Sequence, residues 1–154
     1  MTPFPRQHIL PDEAGTMRLG AALAKGARGG DVLCLYGDLG AGKSVLARAY
    51  IRALCGADTE VPSPTFTLMQ YYEAPKFDII HADLYRLETL EEIIEIGLEE
   101  RFDDALTLIE WPQRLGALLP AARLDISLTI DNDGSRLVRL VPHGQSWEGR
   151  CEHQ

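Results

Sequence analysis

Val32-Leu33-Cys34-Leu35-Tyr36-Gly37-Asp38-Leu39-Gly40-Ala41-Gly42-Lys43-Ser44 reads as an apolar strand running into a glycine loop and then into a helix that starts near Ser44. The last eight residues satisfy the pattern G-x-x-x-x-G-K-[ST] at every required position. Each residue type has a chemical reason. Gly37, Gly40 and Gly42 let backbone N–H groups wrap phosphate oxygens, with Asp38, Leu39 and Ala41 as the loop between them. Lys43 brings a point charge to the outer oxygens, and the Ser44 hydroxyl is a hard oxygen ligand for Mg²⁺. The helix adds the positive end of its dipole. The stretch therefore specifies a site for a magnesium nucleoside triphosphate.

Outward from this loop the chain alternates helix and strand. Ile9-Leu10 is a short strand signal, and Pro11-Asp12-Glu13 starts a helix with Asp12 as N-cap and Leu19 and Leu23 on one face. After the loop a helix runs from Ser44 to about Leu54 and stops at Gly56. Val61-Pro62-Ser63-Pro64-Thr65 is a restrained loop, because each proline biases the residue before it toward extended geometry. Phe66 to Tyr72 and Phe77 to Ala82 form a hairpin, and Thr89-Leu90-Glu91-Glu92 has capping-box spacing ahead of a short helix with Leu90, Ile93 and Ile94 at apolar positions and Gly97 at its end. Ala105 to Ile109 is a further strand. Leu124, Ile126, Leu128 and Ile130 alternate with Asp125, Ser127 and Thr129 as a half-buried strand that Asp133-Gly134 turns into a last one through Val141. The order predicts an α/β fold with a parallel core around the P-loop and antiparallel additions. Residues 1–141 read as one P-loop ATPase domain, and 142–154 as a polar tail.

A magnesium nucleotide site also needs an acid at the C-terminal end of a neighbouring strand. Leu106-Thr107-Leu108-Ile109-Glu110 and Ile79-Ile80-His81-Ala82-Asp83 each offer one. Glu110 closes an unbroken apolar run and is assigned to Mg²⁺; Asp83 is then the candidate for orienting or activating water. For either acid taken alone, a helix cap or an ion pair is the competing role. Thr65, between the prolines and a strand, has a hydroxyl that could sense the γ-phosphate or Mg²⁺. Trp111, directly after Glu110, either walls the nucleotide or packs in the core.

Composition bounds the rest. A chain of 154 residues with 45% hydrophobic and 25% charged residues is one domain, without room for a P-loop core plus a separate substrate domain. The lack of a long apolar run or a basic leader, and three cysteines without paired spacing, predict a cytoplasmic protein with no membrane association, zinc site or disulfide framework. The four histidines are scattered, each reading as a surface or packing residue. A net charge of −8 argues against autonomous binding of nucleic acid. The only asparagine, Asn132, lies in a turn with no lysine after it, so the Asn-Lys-x-Asp guanine reader is missing and ATP is favoured over GTP. None of the arginines stands out as a finger.

Gly-Asp-Leu-Gly-Ala-Gly-Lys-Ser at 37–44, Ser63-Pro64-Thr65-Phe66, His81-Ala82-Asp83-Leu84-Tyr85-Arg86 and Ile109-Glu110-Trp111-Pro112 together resemble, in order and spacing, the bacterial TsaE family, over about residues 9 to 141. The resemblance implies a cytoplasmic ATPase that serves tRNA threonylcarbamoyladenosine synthesis, and an α/β, P-loop NTPase-like three-layer fold whose mixed sheet has a parallel centre and antiparallel flanking strands. It implies TsaB and TsaD as protein partners, and tRNA as a partner reached only through their complex. The modified adenosine is the one beside the anticodon in tRNAs reading codons that begin with adenine. By the same resemblance Lys43 and its loop bind phosphates, Ser44 and Glu110 bind Mg²⁺, Asp83 supports hydrolysis, Thr65 belongs to a switch-like loop and Trp111 lies close to the nucleotide. Glu13 matches an N-terminal family position near the nucleotide. Ser44 departs from the usual threonine but keeps the hydroxyl. Two other readings compete: a small-metabolite kinase, which would want a basic lid that the sequence lacks, and a non-hydrolysing nucleotide-dependent scaffold that would use the acidic segment Glu88 to Glu100.

Overall fold

Apolar residues at nearly every position of 32–35, 79–82 and 106–109 leave these strands no polar face, so they must be covered on both sides. A computed structural model describes residues 6–38, 40–148 and 150 and places them in the middle of a seven-stranded sheet. The strands are β1 (Arg6–Leu10), β2 (Val32–Tyr36), β3 (Met69–Glu73), β4 (Asp78–Asp83), β5 (Leu106–Glu110), β6 (Arg123–Ile130) and β7 (Arg136–His143), in the spatial order β1-β7-β6-β2-β5-β4-β3. The four central strands β6, β2, β5 and β4 are parallel. The flanks β1, β7 and β3 pair antiparallel. This is the parallel core with antiparallel additions that the element order predicts, and the mixed sheet that the family resemblance implies.

Helices α1 (Glu13–Ala24) and α2 (Lys43–Cys55) cover one face, where Leu19, Leu23, Leu46 and Ile51 pack on Leu33, Leu35, Ile79, Leu106 and Leu108. The two helices approach closely at Gly20: a Cβ there would come within 2.7 Å of the Leu46 carbonyl oxygen. Asp12 caps α1 as predicted, its carboxylate accepting from Gly15 N–H at 2.9 Å. The opposite face, built on Val32, Cys34, Ile80, Ala82 and Ile109, is covered by α3 (Leu90–Glu95) and by 3₁₀ turns at Leu98–Arg101 and Pro112–Leu118. Burial raises the Cys34 thiol to about 12, so it behaves as a packing residue. None of the described helices is long and apolar enough to cross a membrane.

Three local expectations change. β3 starts at Met69 rather than Phe66, because Leu68 N–H bonds back to the Pro64 carbonyl and Leu68 takes φ 69°, closing a turn that leaves Phe66 exposed. In α3 only Ile93 is buried, whereas Leu90 and Ile94 face solvent. The third change lies beyond Val141. β7 continues to His143, a 3₁₀ turn covers Gln145–Trp147, and Trp147 is only 5% exposed in the α1/α2 core. Arg150 then closes on Asp31 at 2.6 Å. The polar composition of this segment hid an aromatic that joins the core and an arginine whose partner, Asp31, lies 119 residues earlier in the chain. Leu39, expected in the phosphate loop, falls outside the described residues.

Candidate nucleotide site

The phosphate loop turns at the C-terminal end of β2, the edge of a parallel sheet where ligands collect. Gly37 holds φ 147°, and a Cβ on it would lie 2.7 Å from the Leu128 carbonyl oxygen, so no other residue fits. Gly42 precedes α2 without any side-chain cap, which leaves the first N–H groups of that helix free for an anion.

Parallel register puts Asp83 of β4 directly opposite Glu110 of β5, one strand over from the loop. Both acids are buried, as is Lys43. They share one open cavity of about 210 Å³ whose walls also include Glu13, Thr16, Gly40, Gly42, Ser44, Thr65, Trp111 and Arg136. Gly40 also borders a second depression, formed with Gly37, Asp38, Ala41 and residues 128–130 of β6. The first cavity is below the ~300–1,000 Å³ of sites that engulf a ligand, so a nucleotide here would keep part of itself on the surface.

The polar groups of this cavity fall into two kinds. The carboxylates are held. Asp83 accepts from the Thr65 hydroxyl at 3.2 Å and from Tyr85 N–H at 3.0 Å, and Ser63 and Thr65 hydroxyls lie 2.7 Å apart. Glu110 Oε2 lies 2.7 Å from Nε2 of His81, a fully buried side chain. Lys43 Nζ and Thr16 Oγ1, in contrast, are buried without a hydrogen-bond partner among the described residues. Burial pushes the Lys43 amine below its usual range, and the charges of Glu110, Asp83 and Asp38 oppose that shift. Its ammonium rests over the Trp111 ring, 4.0 Å from the centroid. Trp111 reaches this place by a left-handed backbone, φ 60° and ψ 50°, and leans against Tyr85 with ring centroids 4.8 Å apart.

These donors suit the group that the sequence calls for. Two orphaned polar atoms, an uncapped helix start and a glycine loop fit phosphate oxygens. The Ser44 hydroxyl beside the carboxylates offers the hard oxygens that Mg²⁺ takes, and no three His, Cys, Asp or Glu side chains among the described residues form a metal cage of their own. Glu13, exposed at the rim, is an acceptor suited to hydroxyl or amino groups rather than to phosphate.

The family described as "Threonylcarbamoyl adenosine biosynthesis protein TsaE" matches residues 10–138. The chain belongs to the TsaE family. It is 42% identical over 135 residues to the tRNA threonylcarbamoyladenosine biosynthesis protein TsaE of Rickettsia bellii, covering 88% of this chain and 94% of that one. To the Bacillus subtilis protein of the same name it is 36% identical over 146 residues, or 94% and 89% of the two chains. The crystal structure of Bacillus subtilis YdiB superposes with a TM-score of 0.79 at 27% identity, over 97% of this chain and 93% of that one.

Within this TsaE-family fold the cavity gathers Glu13, Gly40, Gly42, Lys43, Ser44, Thr65, Asp83, Glu110 and Trp111, all predicted from sequence. It adds Thr16 and Arg136, and the buried His81 stands behind Glu110 without lining the cavity; sequence reasoning missed all three. The Thr16 signal was available: it lies one turn after Glu13 on the same helix. His81 stands two residues before Asp83 on one strand, hence on the same face, and that spacing was also readable. Arg136 carried no signal, because only the insertion of β7 between β1 and β6 brings it to the cavity.

Proposed function

We propose that this protein is a Mg²⁺-dependent ATPase that serves tRNA threonylcarbamoyladenosine synthesis together with TsaB and TsaD. The observation that carries the nucleotide reading is the buried, unpartnered ammonium of Lys43 in a cavity ringed by the phosphate loop and two fixed carboxylates. A buried cation without a partner is costly, and a phosphate oxygen is the partner this loop is shaped for. On binding, Lys43 moves from the Trp111 ring to phosphate. Ser44 and Glu110 hold the cation, which when bound supplies charge neutralisation at the phosphate oxygens. Asp83, with both carboxylate oxygens already bonded through Thr65 and Tyr85 N–H, is oriented to align the attacking water and take its proton. Thr65 thereby couples the 61–65 loop to the reacting centre. Glu13, the loop from Gly37 to Ala41 and Trp111 hold the rest of the nucleotide.

The pathway rests on family membership and on relatives named for that biosynthesis. With a net charge of −8 the chain is a poor ligand for tRNA by itself, so its contribution passes through partner proteins in the cytoplasm. The test is nucleoside mass spectrometry of tRNA from depleted cells, joined to ATP turnover with and without TsaB and TsaD. The modification should fall on depletion and turnover should rise with the partners. Normal modification together with partner-blind turnover would overturn the reading.

A further inference from the structure

Among the described residues, His81 is the one buried titratable side chain at this end of the sheet that the hydrolytic reading leaves without a task. Its ring is 1% exposed, and Nε2 sits 2.7 Å from Glu110 Oε2. Nδ1 is buried and has no partner among the described residues. The two strands explain the meeting. His81 and Asp83 share a face of β4, Leu108 and Glu110 share the corresponding face of β5, and the register pairs His81 with Leu108 and Asp83 with Glu110. His81 therefore lies one pleat below the two acids and reaches across to the longer one.

The tautomer follows from the same geometry. A carboxylate only accepts, so a 2.7 Å contact requires the hydrogen on Nε2. With the hydrogen on Nδ1 instead, a buried donor would be orphaned while two lone pairs faced each other. The bond engages Oε2 and leaves Oε1 for the cavity that Glu110 lines. We infer that His81 is a positioning residue, whose Nε2–H fixes the Glu110 carboxylate so that one oxygen is preset toward Ser44 and Lys43 for a hydrated divalent cation. A glutamate has three side-chain torsions, and an unpinned one must be ordered when the cation arrives; His81 has ordered it in advance. The neighbouring acid has a different support, the Thr65 hydroxyl and Tyr85 N–H, so the two carboxylates are set independently.

This inference rests on the magnesium nucleotide reading, and the experiment separates the two. ADP affinity is measured by calorimetry in Mg²⁺ and in EDTA for the wild type, His81→Met, which keeps bulk without a donor, and His81→Gln, whose amide N–H can replace Nε2–H. The gain in affinity on adding Mg²⁺ should shrink by about tenfold or more in His81→Met, the scale of lost support to a metal ligand. It should return to within about threefold in His81→Gln, while affinity in EDTA stays level in all three. A full Mg²⁺ gain in His81→Met overturns the inference and spares the site. Equal losses in EDTA and Mg²⁺ overturn it too, by making His81 merely structural. No Mg²⁺ gain in the wild type defeats the underlying magnesium reading instead. Should His81→Met fail to fold, ¹⁵N spectra of the wild-type imidazole decide: protonated Nε2 upholds the inference, and a hydrogen on Nδ1 alone ends it.

Discussion

Trp111 and Trp147 lie at opposite ends of the parallel strands, and each has a cation over its ring at 4.0 Å. The cations differ in everything else. Arg150 over Trp147 donates to both oxygens of Asp31, at 2.9 and 2.6 Å, and to the carbonyls of Gly26 and Ser146. Asp31 in turn accepts from Arg28 N–H. Lys43 over Trp111 has the ring and no hydrogen bond among the described residues. One end is a finished ion pair, closed over the core just before β2 begins. The other withholds a partner from its charge, and a buried charge left open in this way marks a place for a ligand.

The sharpest way to break the contrast is to remove the two cations in turn. Lys43→Ala should weaken nucleotide binding by about 10³-fold, while the melting temperature of the free protein stays nearly level, because the burial cost of the amine offsets its attraction to Glu110, Asp83, Asp38 and the Trp111 ring. Calorimetric titration with magnesium ATP, set beside a thermal scan, checks both halves. Arg150→Ala should do the reverse, lowering stability by about 3 kcal/mol because Asp31 is left buried and unpaired, with nucleotide affinity unchanged. Urea denaturation reads this directly, and an unaltered midpoint would mean that the Asp31–Arg150 pair contributes nothing net.

Next in size is the step from binding to chemistry. Asp83→Asn should hold nucleotide affinity within a few-fold and cut turnover by about 10²-fold. Turnover at the wild-type rate would return Asp83 to a structural role as the anchor of Thr65. The smallest effect is optical. Nucleotide should alter tryptophan emission as Lys43 leaves the Trp111 ring, and the change should vanish in Trp111→Phe, because Trp147 sits at the far end under a cation that does not move. A signal that survives in Trp111→Phe would show instead that the two ends communicate.

The open end was legible in the sequence and the closed end was not, and the reason is physical. Phosphate chemistry demands contiguous residues: glycines for the wrap, a lysine and a hydroxyl in succession, then acids at strand ends. Such a pattern survives as a motif, and Lys43, Ser44, Asp83 and Glu110 could be named from it. The pair Asp31–Arg150 and the seat of Trp147 depend on which strands become neighbours, and no local periodicity encodes that. His81 falls between these cases: the strand pattern places it on the face of Asp83, but only the register of β4 on β5 sets it against Glu110. The left-handed backbone of Trp111 was likewise invisible, since nothing in Glu-Trp-Pro announces a positive φ.

The position of β1 has a consequence for how the chain matures. It forms the outer edge of the sheet against β7, so Arg6 pairs with Leu140 and Leu10 with Arg136. During synthesis β1 emerges from the ribosome long before its ladder partner exists, and its N–H and C=O groups stay open to any other strand until β7 arrives. The residues that follow β7 carry Trp147 and Arg150, which seal the α1/α2 core. Assembly of this seven-stranded sheet is thus finished from its C-terminal side. Truncated translation products that lack residues 136–150 would expose both an unpaired edge and an unfilled core, and would be natural substrates for chaperones and proteases.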